Sequence, residues 1–264
     1  MDFEYINYEK REQIAWVTIN RPEVMNSMHV LVHRELFQVW EDFDADPHLR
    51  VAILTGAGER AFSAGNDLKY TAELAARGEQ PGRAPLGGFG GLTNPRYKLW
   101  KPIIAAVNGY ALGGGFELAM ACDLIIAAEH AQFGLPEPRV GLTAGAGGMH
   151  RLPRQVPTKV AMGMMLTGTR LSAQDAYRLG LANEVVPLAE LLPAAERWAR
   201  LIMECAPMSV RGSKQAAMTG LDLPLEAAIN NTYTWVERQA NSPDRMEGVR
   251  AFVEKRSPQW QGER

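Results

Sequence analysis

Cysteine is scarce in this chain of 264 residues, which contains only Cys122 and Cys205. The two lie far apart and lack the close spacing of a metal site, so we expect free thiols in a reducing compartment. Residues 1–12 carry charges where a signal peptide would have an apolar core, and no apolar run approaches the roughly 20 residues of a membrane span. These absences predict a cytoplasmic protein that does not enter a membrane.

An excess of charge of one sign is also lacking. The formal net charge is −2, and no long block of like charges interrupts the sequence. Nucleic acids and anionic membrane surfaces are bound through dense positive charge. We therefore expect neither of them as a partner.

Several motifs of well-known enzyme classes are missing. No glycine cluster reads Gly-x-Gly-x-x-Gly after a strand, and no Gly-x-x-x-x-Gly-Lys-Ser/Thr occurs. Ser63 stands in Ala61-Phe-Ser-Ala-Gly65, which lacks the first glycine of a nucleophile elbow. The histidine pair His29 and His33 has i, i+4 spacing but no adjoining glutamate, so we predict a solvated helix face and no metal site.

Apolar runs that are present predict an α/β fold. Four of them, 14–19, 51–55, 103–107 and 124–128, are rich in β-branched residues and end at turn signals, as strands do. Residues 28–44 repeat apolar side chains at helical spacing. Because the strands are almost wholly apolar, we expect a parallel sheet that is covered on both faces.

Two further regions differ in composition. Residues 77–95 are rich in Gly and Pro with few large apolar side chains, and we predict a mobile loop, either beside a pocket or a plain surface excursion. The carboxyl-terminal part predicts helices that dock on their own core or on a neighbouring subunit. Those helices are predicted at 191–206, 209–218, 225–238 and 244–254.

The segment Gly109–Asp123 is the strongest candidate for chemistry. Gly113, Gly114 and Gly115 open a predicted helix, and Glu117 lies in its first turn. Free amides at a helix start favour an anion or a developing oxyanion, and a carboxylate beside them is a candidate acid or base. Alternatively, the glycines only allow close packing and Glu117 only complements the helix dipole.

Two other segments have both functional and structural interpretations. In 61–68, backbone amides near Gly65 follow a strand, and Asp67 either contributes to a site or simply caps the next helix. In 131–141, Glu137 lies between two prolines, which can hold its side chain in one place. The alternative is an exposed turn glutamate beside Arg139.

Together these segments resemble the enoyl-coenzyme A hydratase/isomerase family, also called the crotonase superfamily. The resemblance covers almost the whole chain, and its matching segments occur in the family's order. They are 20–26, 62–68, 101–119, 133–137, 145–148, 166–168, 172–176, 180–181 and 252–256.

The resemblance implies a fold and an assembly. It implies a core of repeated ββα units wound into a superhelix over residues 1–190, and a helical trimerisation region over 191–264. It also implies a homotrimer or a dimer of trimers. The substrate would be an acyl-coenzyme A thioester, with no separate cofactor because coenzyme A enters as part of the substrate.

The resemblance also implies roles for individual residues. The amides of Ala64 and Gly114 would stabilise a thioester enolate, Glu117 would activate water, and Glu137 would transfer the proton at Cα. Lys255, with Arg256, would reach the nucleotide, unless the two only complement a helix dipole. The remaining implied substrate contacts are Arg21, Met25, Ser63, Asn66, Asp67, Leu68 and Gly113.

Two acids at these positions favour enoyl-CoA hydratase chemistry, the reversible addition of water to a 2-enoyl-CoA. The alternative is another reaction of the family: carnitinyl-CoA dehydratase-like, isomerase or acyl-CoA hydrolase. The chain departs from the family pattern at Asn66, at Leu142-Thr-Ala-Gly145 and at His150. These departures lie near the acyl end, and they leave the acyl group open.

Overall fold

The computed structural model describes residues 3–80, 82 and 84–262. Within these residues the chain forms two β-sheets surrounded by helices. The strands are β1 (Ile6–Arg11), β2 (Ile14–Ile19), β3 (Val51–Gly56), β4 (Ala61–Ser63), β5 (Ile103–Val107), β6 (Tyr110–Leu112), β7 (Leu124–Ala128), β8 (Gln132–Gly134), β9 (Arg170–Ser172) and β10 (Glu184–Val186). The helices are α1 (Val30–Ala45), α2 (Leu68–Ala76), α3 (Gly114–Ala121), α4 (Gly148–Gln155), α5 (Thr158–Thr167), α6 (Ala173–Arg178), α7 (Leu191–Met203), α8 (Pro207–Gly220), α9 (Leu225–Ile229), α10 (Thr234–Ala240) and α11 (Pro243–Glu254).

The larger sheet has the strand order β1-β2-β3-β5-β7-β10, and the smaller has the order β4-β6-β8-β9. In the larger sheet β1 is antiparallel to β2 and every other neighbouring pair is parallel. In the smaller sheet only β8 and β9 are antiparallel. The predicted parallel α/β sheet is confirmed.

The two sheets are built by a repeated unit. A long strand joins the larger sheet, the short strand after it joins the smaller sheet, and a helix follows: β3-β4-α2, β5-β6-α3 and β7-β8-α4. The chain therefore advances by one strand in each sheet per turn. This is the ββα superhelix that the resemblance implied.

Side chains of the central strands alternate between two cores. On β3, Ala52 and Leu54 face the core that contains α1 and α3, whereas Val51 and Ile53 face the core that contains α7. A strand that is buried on both faces must be apolar throughout, which explains these sequence runs. Because α7 completes the second core, the region after residue 190 begins by packing on its own sheet.

The structure corrects three local predictions. Residues 225–238 form α9 and α10 rather than one helix, because Asn230 ends α9 and its side chain bonds back to the Glu226 carbonyl. In the predicted loop 77–95, the turn Phe89–Gly91 is packed against α1, while residues 81 and 83 lie outside the described residues. The pair His29 and His33 is buried rather than solvated.

Candidate active site

The amino-terminal end of α3 lies at the centre of the candidate site. Gly113 has φ of 53° and ψ of −127°, a conformation open essentially to glycine alone, and its N–H donates to the Gly134 carbonyl at 2.9 Å. Gly114 is the first helical residue, so its N–H has no intrahelical acceptor. No other acceptor for this amide occurs among the described residues.

The loop after β4 packs directly against this helix start. Gly65 has φ of 91°, and a Cβ added to it would lie 2.9 Å from the Gly114 nitrogen. The peptide that joins Gly65 to Asn66 is therefore next to the Gly114 amide. Asn66 N–H, like Gly114 N–H, has no hydrogen-bond acceptor within the described part of the chain.

Ala64 does not fit its predicted role as an oxyanion donor. Its N–H already donates to the carbonyl of Met25 at 2.9 Å. A donor used to hold the loop in place is not free to stabilise developing charge. The amide two residues further on, that of Asn66, is the free one in this loop.

Two other predicted contacts hold the loop rather than face a ligand. The Ser63 hydroxyl is fully buried, donates to the Asn26 carbonyl at 2.8 Å and accepts from Gly65 N–H at 3.1 Å. The Asp67 carboxylate caps α2 at Tyr70 N–H and pairs with Arg21 at 2.9 Å. Both side chains are engaged by internal partners, and their contact with a substrate stays a prediction.

Glu117 projects from the first turn of α3 into a buried position and is 3% exposed. Its Oε1 accepts from Gly148 N–H, the first amide of α4, at 2.7 Å. Burial raises the pKa of Glu117 to about 7, with the charge of Glu137 adding to the rise and the Gly148 amide opposing it. The carboxyl group can therefore hold or release a proton near neutral pH.

Glu137 lies across the glycines from α3. A Cβ added to Gly113 would lie 3.0 Å from its Oε1, so the carboxyl group touches the helix entrance. Its Oε2 is buried and has no hydrogen-bond partner among the described residues. Burial raises the pKa of Glu137 as well. A buried carboxyl oxygen without a partner is typical of a group that awaits a ligand.

Phe89 covers the start of α3 from the other side. A Cβ on Gly114 would collide with its ring. The turn that carries Phe89 is tied to α1, since His33 Nδ1 accepts from Gly90 N–H at 3.2 Å and Trp40 Nε1 donates to the Gly90 carbonyl at 2.8 Å. The His33 ring also packs on Phe89, with centroids 4.4 Å apart.

Two cavities flank these groups. A cavity of about 730 Å³ lies between the Phe89 turn and α4, and a second of about 380 Å³ lies beside the Glu137 turn. The first is lined by Gly88, Phe89, Thr93, Asn94, Pro95, Gly145, Ala146, Gly147, His150, Arg151, Arg154 and Asp222. The second is lined by Leu135, Pro138, Leu142, Thr143, Ala144, Met149, Met162, Met165 and Leu166.

The remaining predicted contacts lie at or beyond the edge of the site. Leu68 begins α2 and is about half exposed, and Met25 supplies its carbonyl to the Ala64 amide. Lys255 is an exposed residue at the end of α11 and is not among the described residues that line either cavity. The structure of one chain thus brings Gly113, Gly114, Glu117 and Glu137 together, but not Lys255.

Comparison with known proteins identifies the family of the chain. A family model described as enoyl-CoA hydratase/isomerase matches residues 9–263. The chain belongs to this family. Members of the enoyl-CoA hydratase/isomerase family that resemble it include (E)-benzylidenesuccinyl-CoA hydratase of Thauera aromatica, 43% identical over 97% of this chain and 99% of that protein. Carnitinyl-CoA dehydratase of Escherichia coli strain K12 is 42% identical over 98% of this chain and 99% of that protein.

Solved structures of the family share the fold. Enoyl-CoA hydratase from Mycobacterium tuberculosis H37Rv superposes with a TM-score of 0.90 at 38% identity, covering 98% of this chain and 99% of that one. The resemblance inferred from the sequence is confirmed. The chain is a hydro-lyase of the crotonase type, an acyl-CoA hydratase or dehydratase.

Sequence reasoning missed several residues of the site. His33 was predicted on a solvated face because its spacing alone does not reveal the turn at Gly90 that covers it. Gly148 belongs to the matching segment 145–148, and glycines before a helix are a general signal for free amides, but nothing in the sequence links this amide to Glu117. Arg151 gave no signal of its own, since one arginine in a polar helix is ordinary.

The described residues contain no group of three or more His, Cys, Asp or Glu side chains arranged to hold a metal ion. Within the same residues, no helix combines the length and the apolar character that crossing a membrane requires. Cys122 and Cys205 are free thiols, the first buried and the second exposed.

Proposed function

We propose that the protein catalyses the reversible syn addition of water to a trans-2-enoyl-CoA thioester. The observation that carries the proposal is a pair of carboxyl groups, the buried Glu117 and the half-buried Glu137, on either side of the amides that open α3. Water addition needs a group to activate water at Cβ and a group to deliver a proton at Cα. Two carboxyl groups with raised pKa values suit both tasks.

The enolate that forms would be stabilised by two backbone amides. We assign Gly114 N–H, as the resemblance implied, and Asn66 N–H in place of Ala64 N–H. Both are free donors within the described residues, and they belong to segments in contact. The loss of one such donor typically raises a barrier by about 3 kcal/mol, so a preorganised pair is a large contribution.

The two carboxyl groups have different roles in proton transfer. Glu117, held by the Gly148 amide, orients and activates water, and Glu137, with one free oxygen, transfers the proton at Cα. Because their charges interact, the pair titrates as a unit rather than as two independent groups. Coenzyme A enters with the substrate, so this mechanism uses no separate cofactor.

The experiment is an assay of the purified enzyme with crotonyl-CoA. We expect the absorbance of the conjugated thioester to fall while the product gains the mass of one water molecule and no free thiol appears. Release of free coenzyme A would indicate a hydrolase, and an isomeric product of unchanged mass would indicate an isomerase. If no 2-enoyl-CoA, from short aliphatic to aromatic, gained water, the proposal would be wrong.

A further inference from the structure

The larger cavity has an unusual distribution of charge. One wall is formed by α4 and carries His150, Arg151 and Arg154, while Asp222 is the only acidic residue among its described lining residues. An acyl chain alone needs an apolar wall. Two guanidinium groups and an imidazole on one helix face are instead typical of a site for an anion.

Arg151 is the best placed of the three. Its guanidinium donates to two neutral acceptors, the Thr93 carbonyl at 2.9 Å and the Ala146 carbonyl at 3.3 Å. No carboxylate of the described residues lies within ion-pair distance of it. Burial lowers the pKa of Arg151, and the more distant charge of Glu117 opposes that shift. A partly buried cation with only neutral acceptors is stabilised when an anion binds. Most of its donors remain available.

This wall lies close to the reacting groups. Gly147 lines the cavity, and the next residue, Gly148, donates to Glu117. Phe89 lines the same cavity and touches the position of Gly114. The cavity therefore begins where the enoyl carbons would lie and continues toward Arg154. This arginine is exposed, and among the described residues its guanidinium donates only to the His150 carbonyl of its own helix.

We propose that the acyl group of the substrate carries a second carboxylate, bound by Arg151 and assisted by Arg154. This inference rests on the proposed hydration, and it names the class of enoyl-CoA that the site selects. A neutral acyl group would leave the partly buried guanidinium without an anionic hydrogen-bond acceptor. A positively charged acyl group, such as one ending in a quaternary ammonium, would be repelled.

The test compares three enoyl-CoAs of similar length: trans-2-hexenedioyl-CoA, its terminal monoamide and an analogue with a terminal trimethylammonium group. We expect kcat/KM for the diacid to exceed that for the monoamide by at least ~10-fold, the size of a charge-assisted hydrogen bond. The cationic analogue should be the poorest substrate. A diacid that is no better than the monoamide, or a preference for the cation, would overturn the inference.

Variants of Arg151 and Arg154 test whether these arginines cause the preference for the diacid. The ratio of kcat/KM for diacid to monoamide should fall about 10- to 100-fold in Arg151→Gln and several-fold in Arg154→Gln. Lys159→Gln, which removes an exposed charge on the next helix, should leave the ratio within about 2-fold. If Arg151 had a purely structural role, Arg151→Gln would instead lower kcat/KM equally for the diacid and the monoamide and leave their ratio unchanged.

Different results would contradict the inference and the proposed hydration. If crotonyl-CoA and the monoamide gain water but the diacid does not, the inference is wrong and the hydration stands. If none of these enoyl-CoAs gains water, the hydration itself is wrong, and the inference falls with it.

Discussion

Glu117 shows how burial turns an ordinary glutamate into a group that titrates near neutral pH. Two helix starts meet at its carboxylate, its own α3 and the first amide of α4, and both favour the charged form. Burial and the nearby Glu137 favour the protonated form and outweigh them. The balance leaves a carboxyl group that can exchange protons during catalysis at the pH of a cell.

This balance predicts how stability depends on pH. The pKa of Glu117 is about 7 in the folded chain and near 4.5 when unfolded, so the folded state alone keeps the proton between these values. Its contribution to stability is complete below pH 4.5 and is lost as the pH rises through 7, by about 3 kcal/mol in all. Glu117→Gln should remove this loss, measured by urea unfolding at pH 5 and pH 8.

The matched control for this measurement is Glu129→Gln, the same change at an exposed turn position. Its free energy of unfolding should change between pH 5 and pH 8 as that of the wild type does. If the free energy of unfolding of Glu117→Gln changed with pH as that of the wild type does, the raised pKa would be contradicted.

Two separate requirements make glycine necessary at position 114. Its amide must be free, and it has no room for a side chain because Phe89 covers it. Gly114→Ala should displace the Phe89 ring or the helix start and reduce kcat by at least ~10-fold, because misplacing reacting groups by an ångström is enough for such a loss.

The control is Gly163→Ala in α5, where, within the described part of the chain, no atom outside the adjoining backbone of the helix lies within 4 Å of the added Cβ. This change should leave kcat unaltered and stabilise the helix by up to about 1 kcal/mol. Equal effects of the two substitutions on steady-state kinetics would refute the packing argument at Gly114.

At the scale of elements, the turn that carries Phe89 depends on a buried histidine of α1. Burial lowers the pKa of His33 to about 4, so the ring is neutral and accepts from Gly90 N–H. Between pH 6.5 and 4 only the unfolded chain takes up this proton. The folded state therefore loses up to about 3 kcal/mol as the pH falls through that range.

His33→Gln keeps an acceptor but cannot titrate, so its acid-induced loss of stability should be smaller than that of the wild type. Unfolding free energies at pH 7 and pH 4.5 measure the difference. An identical loss in the two proteins would mean that His33 is not the group responsible.

The sequence predicts some secondary-structure elements much better than others. The strands at 14–19, 103–107 and 124–128 were predicted to the residue, because a strand buried on both faces is an apolar run that ends abruptly. The turn at Phe89–Gly91 was predicted as part of a mobile loop. Its order comes from contacts with α1, such as that between Gly90 and Trp40, which lies fifty positions earlier, and no local pattern encodes such a contact.

The same distinction applies to the site. Glu117 could be predicted because a run of glycines marks a helix start with free amides, and Glu137 because the prolines on either side restrict its backbone. The choice between Ala64 and Asn66 as the amide donor could not, because it depends on whether the Met25 carbonyl already accepts the hydrogen bond. A sequence names a loop, whereas only the fold shows which amide of that loop is free.

For the whole molecule, the predicted assembly of three chains, or of two such trimers, is a proposal with a clear physical motive. Apolar side chains at the carboxyl-terminal end are exposed in one chain, with Phe252 86% and Leu225 76% exposed. An exposed apolar surface of this kind is usually covered by another protein surface. A neighbouring chain is also the route by which Lys255 could reach a bound nucleotide.

Phe252→Asp should therefore shift the protein toward smaller species, measured by size-exclusion chromatography with light scattering. Gln174→Asp, which adds the same charge at an exposed position of α6, should not. A wild type that is monomeric at micromolar concentration would refute the proposed assembly.

The central claim is that two carboxyl groups at the entrance to α3 add water to an enoyl-CoA. Its most direct test is the hydration rate of crotonyl-CoA in Glu117→Gln and Glu137→Gln, with Glu129→Gln as the control. Each variant at the site should lose about 10³-fold in kcat, the usual contribution of a general acid or base, while the control keeps the wild-type rate. A rate within about 10-fold of wild type in either site variant would contradict the account.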